Sequence, residues 1–145
     1  MADPQARLQQ MLAKLKARNF RLTPQRLAVL KILAASQTHP SVEDIYAEVK
    51  QTFPTTSLAT IYKTIALLKE MHEVLEIRFT ESSRFDGNKP YPHPHILCIR
   101  CGRVMDPELP GVAALVAAAA AHSGYQILDH RLNFFGICPA CQQTE

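Results

Sequence analysis

Four cysteines stand in two pairs, Cys98-x-x-Cys101 and Cys138-x-x-Cys141, and the 145-residue chain has no others. Two such knuckles, with 36 residues between them, can fold against each other and offer four thiolates to one tetrahedral zinc ion. Gly102 and Arg103 follow the first pair, and Pro139 lies inside the second. Residues of this kind suit tight turns whose backbone N–H groups stabilise clustered sulfur charge. An all-cysteine site is closed, so it would hold structure together and perform no reaction. Two disulfides or four unrelated buried thiols are the competing readings. The paired spacing, behind a polar and basic first twenty residues with no apolar leader, favours the metal.

A second set of donors precedes the first knuckle. His93 and His95 are one residue apart, and on an extended strand such side chains leave the same face, so both imidazoles can reach one ion. Asp86 and Asp106 flank them in sequence and can fold toward them. A mixed nitrogen and oxygen shell suits Fe(II), Mn(II) or Zn(II). The competing reading of His-Pro-His in a proline-rich stretch is a solvated turn.

Charge points to a polyanion. The net charge is +3, but residues 1–80 hold 11 Lys/Arg against 7 Asp/Glu, whereas residues 81–145 hold 5 against 6. Seven basic residues and no acidic one lie between Arg7 and Lys31. Such a block favours DNA, with a solvated basic face as its alternative. The longest apolar run, Val112 to Ala121, is too short and alanine-rich to span a bilayer. Nearly half the residues, 47%, are hydrophobic, which marks a folded globular chain.

The elements that would position these groups follow from periodicity. Leu8, Met11, Leu12 and Leu15 predict a helix over 5–17. Thr23-Pro24 starts a second, burying Leu27, Leu30, Ile32 and Leu33. Ser41, with Asp44 three residues on, caps a third that ends at Pro54 and turns Ile45, Tyr46 and Val49 inward. Thr56 or Ser57 caps a fourth running to about Met71, with Leu58, Ile61, Ile65 and Leu68 on its inner side. Its outer side offers Ser57, Thr60, Tyr62, Lys63 and Thr64. A β-prone stretch from Val74 to Phe79 then pairs with Ser83–Phe85. Helices followed by a hairpin are the order of a winged helix-turn-helix, whose fourth helix would enter the major groove. Beyond a hinge, short strands at His95–Cys98 and Val104–Asp106, a helix from Gly111 to His122 and a long strand from Tyr125 to Phe135 predict a small α/β domain. That helix is apolar nearly all round, and a dimer partner would cover it. The fold class is thus α+β, with a winged-helix domain over 1–82, a hinge over 83–92 and a dimerisation and metal-binding domain over 93–145.

Taken together, Arg21-Leu-Thr-Pro-Gln-Arg26, Thr38-His-Pro40, Ala59-Thr-Ile-Tyr62, Ser83-Arg-Phe-Asp86, His93-x-His95 and the two CxxC pairs resemble the ferric uptake regulator family of metal-dependent bacterial repressors. The resemblance covers nearly the whole chain. It implies a cytoplasmic homodimer that binds double-stranded DNA at a palindromic operator through contacts that include Arg21, Ser57, Thr60, Tyr62 and Lys63. It also implies structural zinc on Cys98, Cys101, Cys138 and Cys141. A regulatory Fe(II) or Mn(II) would take His39, Asp86, His93, His95 and Asp106. Spacing alone would not have chosen His39. Aspartate at 86 and 106 is similar to the peroxide-sensing branch, where iron-uptake regulators usually carry glutamate. In that branch His39 and His93 would be the oxidation-sensitive ligands. An iron- or zinc-uptake regulator sensing metal occupancy alone is the alternative. A further site common to those regulators is missing: His130 matches one ligand, but Pro92, Pro94 and Ala113 stand at the others, so His130 is expected to be structural. No nucleophile or general base is visible beyond the ligands themselves, which argues against an enzyme.

Overall fold

The computed structural model describes residues 2–79 and 82–143. It forms two compact units, Met1–Tyr91 and Pro92–Glu145. The first contains helices α1 (Pro4–Ala17), α2 (Pro24–Ala35), α3 (Val42–Thr52) and α4 (Leu58–Glu70), then strands β1 (Leu75–Arg78) and β2 (Ser83–Asp86). Each of these four helices begins on a side-chain cap, expected at Thr23, Ser41 and Ser57 and found also at Asp3, ahead of the start expected for α1. Asp3, Thr23, Ser41 and Ser57 accept backbone N–H groups from Ala6, Arg26, Asp44 and Thr60, and Ser41 and Asp44 form a reciprocal capping box.

The core of this unit joins Met11 and Leu15 of α1, Leu30 and Leu33 of α2, Ile45 and Val49 of α3, and Ile61, Ile65 and Leu68 of α4. Two inner faces differ from expectation. Helix α2 buries Val29 and Ala34 beside Leu30 and Leu33, and leaves Leu27 and Ile32 only partly covered. Helix α4 buries Thr64, while Leu58, in the first turn, is exposed. Strands β1 and β2 pair antiparallel with Leu75 opposite Asp86 and Arg78 opposite Ser83. Phe85 enters the core from β2. The stretch expected as a hinge over 83–92 therefore opens on a strand that is anchored on both counts, by its ladder and by Phe85. Only residues 87–91 lie between that strand and the end of the unit.

The second unit is a three-stranded sheet in the order β4-β3-β5, with β3 at His95–Cys98, β4 at Val104–Met105 and β5 at Asn133–Gly136. Strand β3 pairs antiparallel with β4 and parallel with β5. The predicted strand over 125–135 is shorter than its pattern, because only its last residues lie opposite β3. Alternation without a partner strand makes no ladder. Helix α5 (Val112–Ser123) starts at Gly111 and stops at Gly124, both left-handed, and buries none of its residues. A one-turn helix α6 (Pro139–Gln142) closes the unit. Among the described residues no helix is long and apolar enough to cross a membrane.

Candidate metal centres

The parallel pairing of β3 with β5 brings the cysteine pairs together. Cys98 lies opposite Gly136, and the Ile99 N–H donates to the Gly136 carbonyl at 2.9 Å. Cys98 ends β3, and Gly102, at φ 76°, makes the tight turn that returns the chain to it. Cys138 is the N-cap of α6 and Cys141 lies one turn on, with Pro139 at the first helical position. The four sulfurs lie within 4.8 Å of one another, and none is in a disulfide.

The geometry fits a thiophilic tetrahedral cation. Cys101 Sγ and Cys138 Sγ are 3.8 Å apart, the edge length of a tetrahedron built on Zn–S bonds of about 2.3 Å. Backbone hydrogen bonds from Cys101 and Cys138 hold the Cys98 thiol down to about 6 against the pull of burial. The Cys138 N–H is one of these donors, at 3.3 Å. Backbone and side-chain hydrogen bonding with Cys141 also lowers Cys138. Cys141 is pushed up to about 12 by its hydrogen bond with Cys138, by burial and by the other sulfurs. Four sulfurs this close cannot all ionise without a cation between them.

In the first unit, His39 and Asp86 are paired. His39 follows α2 in a left-handed backbone conformation, φ 55°, which is uncommon away from glycine. Pro40, next to it, accepts the Phe85 N–H at 2.9 Å, so β2 carries Asp86 alongside. His39 Nε2 lies 3.3 Å from Asp86 Oδ2, and both residues are buried. This tie between distant segments is what sequence spacing could not reveal.

In the second unit, His93, His95 and Asp106 converge. Strand β3 directs His95 inward, and the β3–β4 ladder carries the chain into Asp106 just past Met105. The two Nε2 atoms are 2.9 Å apart. Asp106 Oδ2 lies 3.3 Å from His93 Nε2, and Oδ1 lies 3.5 Å from His95 Nε2. Two imidazole nitrogens and one carboxylate thus converge, a donor set that suits a divalent cation. His130 stands apart from this group in its hydrogen bonding, its backbone N–H donating to Asp129 Oδ1 at 2.8 Å.

The residues expected at DNA gather at the starts of α2 and α4. Arg21, Arg26, Ser57, Thr60 and Lys63 line one cleft of ≈ 440 Å³. Tyr62 is exposed beside them. Arg26 Nη1 donates to the Arg21 carbonyl at 2.7 Å, which fixes the basic rim. Two expectations fail. Thr64 is buried and its hydroxyl donates to the Thr60 carbonyl at 2.8 Å, so it faces the core. Arg7, counted in the basic block, is buried against Glu73 at 2.8 Å. Asn88 and Gly87, which the sequence reading passed over, lie buried in the turn after Asp86. An Asp-Gly-Asn run was the available signal.

A family model described as the ferric uptake regulator family matches residues 17–135. The peroxide-responsive repressor PerR of Staphylococcus aureus is 35% identical over 136 residues, spanning 93% of this chain and 91% of that protein. The Helicobacter pylori ferric uptake regulator shares the fold, with a TM-score of 0.83 at 22% identity over 99% of this chain and 96% of that one. A zinc uptake regulator solved with zinc and DNA aligns with a TM-score of 0.70 at 27% identity, over 99% of this chain and 97% of its own.

Proposed function

The chain belongs to the ferric uptake regulator family, and from that premise we propose that it is a metal-dependent DNA-binding repressor that senses hydrogen peroxide through oxidation of two of its own metal ligands. The observation that carries this reading is the pair of half-built donor sets. His39 with Asp86 supplies two ligands, and His93, His95 and Asp106 supply three. Neither set alone completes a coordination sphere for Fe(II) or Mn(II); in this reading one ion would take all five nitrogen and oxygen donors. The chain's 35% identity over 136 residues with a peroxide-responsive repressor supports the peroxide branch.

In this reading one regulatory ion draws on both units, so its binding biases how the DNA-reading helices are held. The chemistry that a bound Fe(II) supplies is one-electron cleavage of the peroxide O–O bond beside the imidazoles. The net change is that an imidazole C–H and hydrogen peroxide become a 2-oxo-imidazole and water. His39 and His93 would take the oxygen. Each loses basicity as a ligand, the shell weakens and the operator is released. The four cysteines would hold a structural zinc, which keeps their thiolates from serving as the sensor.

Two further parts complete the proposal. Leu115 on α5 and Phe134 and Phe135 on β5 are exposed, an apolar surface that a second copy of the chain would cover to form a homodimer. Such a dimer suits a palindromic operator of double-stranded DNA in the cytoplasm, read by α4 through Ser57, Thr60, Tyr62 and Lys63 with Arg21 on the backbone. The role is regulatory, with no substrate turned over.

The test compares Fe(II)-loaded and Mn(II)-loaded protein treated with micromolar peroxide, on genomic DNA fragments that the Mn(II) form retains. Peptides holding His39 or His93 should gain one oxygen atom with iron only, in step with loss of DNA binding. Unaltered histidines with undiminished DNA binding in the iron form would sink the peroxide reading and leave a regulator of metal occupancy. The zinc uptake regulator among its structural relatives gives that outcome its substance.

A further inference from the structure

Asp86 does not meet its surroundings with two equivalent oxygens. Oδ1 accepts the N–H groups of Asn88 at 2.9 Å and Lys89 at 2.8 Å, while Oδ2 faces His39 Nε2. The turn that supplies those two donors is held from three sides. The Asn88 side chain is buried and accepts the Ala2 N–H at 2.9 Å. Its amide donates to the carbonyls of Ala2 at 2.9 Å and Ala34 at 2.8 Å. Gly87 offers its carbonyl to Arg7 Nε at 2.9 Å, and the same guanidinium binds Glu73 beyond α4. Nothing larger than glycine fits there, because a Cβ on Gly87 would lie 2.7 Å from Leu33 Cβ and 2.9 Å from Met11 Cε.

We propose that Asn88 is a positioning residue for the regulatory metal: by locking the turn it occupies Asp86 Oδ1 and leaves Oδ2 as the single oxygen presented to the ion. This rests on Asp86 being a ligand, as proposed above. A carboxylate with one oxygen committed to two N–H donors binds a cation through the other, from a direction fixed by the turn. The N-terminal residues thereby become part of the metal site. Ala2 and Arg7 contribute no ligand, yet they fasten the turn that aims one.

The experiment titrates Mn(II) into the zinc-loaded 145-residue chain and reads free Mn(II) by electron paramagnetic resonance. Three variants are compared with the parent: Asn88→Ala, Asn88→Asp and Asp86→Ala. Circular dichroism and melting of the metal-free forms run in parallel. Loss of a ligand's supporting hydrogen bonds typically weakens metal affinity about 10–100-fold. Both Asn88 variants should show at least the lower end of that loss while still folded and zinc-loaded. A purely structural role would lower the melting temperature and leave the affinity of the folded protein in place, which would overturn the proposal. Unchanged affinity in Asp86→Ala would remove the ligand assignment itself, and the proposal with it. If both Asn88 variants fail to fold, hydrogen exchange on the parent decides. Mn(II) should slow exchange at Asn88 and Lys89 together with Ala2 to Gln10. Protection of the turn without protection of the N-terminal segment would refute the coupling.

Discussion

Glu76 on β1 shows how much a single side chain does for the hairpin. It accepts hydrogen bonds from Lys69 of α4 and from Ser83 of β2, the latter at 2.7 Å, with Arg78 close by. Burial raises its pKa, but the Lys69 and Ser83 hydrogen bonds and the Lys69 and Arg78 charges outweigh that and hold the carboxyl below the ordinary glutamate value. A carboxyl depressed on folding adds stability in full above its unfolded value of about 4.3, and that stability is lost as pH falls through the folded value. Glu76→Gln should therefore be less stable than the parent at neutral pH, with the gap closing in acid, as urea melts at several pH values would record. Cysteine roles are equally testable at this scale. Cys138→Ser should lose zinc and unfold the second unit, and a variant that keeps one equivalent of zinc would speak against a four-sulfur site. The cysteine pairs were legible in sequence because spacing within each knuckle is local. His39 was not, since its meeting with Asp86 depends on the Phe85 N–H reaching Pro40. Thr64 misled for another reason: it falls on the stripe of Ile61, Ile65 and Leu68, and its hydroxyl is satisfied within the helix.

Among elements, α4 and the turn after β2 carry the sharpest consequences. Helix α4 keeps Lys63 exposed at the mouth of the basic cleft. If Lys63 neutralises a phosphate, Lys63→Ala should weaken binding to all DNA sequences alike and reduce the salt slope by about one. A change confined to one operator position would instead assign it to a base. Gly87→Ala forces a methyl against Leu33 and Met11, and overpacking of this kind costs about 1–3 kcal/mol, measurable by denaturant unfolding. The starts of α2, α3 and α4 were readable because capping chemistry is local, whereas the Asp3 cap of α1 lies ahead of the apolar periodicity that marked that helix. The strand over 125–135 was overread because alternation reports a strand's faces and says nothing of whether a neighbour exists.

For the molecule as a whole, the exposed apolar surface of the second unit sets the assembly prediction. The parent is expected to sediment as the proposed dimer, and Leu115→Glu, which places a charge on α5, should shift it toward monomer. Unaltered sedimentation would move the interface off this helix. The alanine-rich pattern announced that helix, and none of its residues is buried in the single chain. A last consequence comes from β2. Ser83 at one end joins the hairpin loop, and Asp86 at the other ends beside His39. Successive residues of a strand rise about 3.3 Å each, so the two ends of β2 stand roughly 10 Å apart on one stiff rod. Such a rod transmits displacement as a lever does, with Phe85 in the core as its pivot. A fluorophore on exposed Ser82 should then register Mn(II) binding with no DNA present. An emission that ignores the metal would mean that the pivot is welded and the hairpin rides passively.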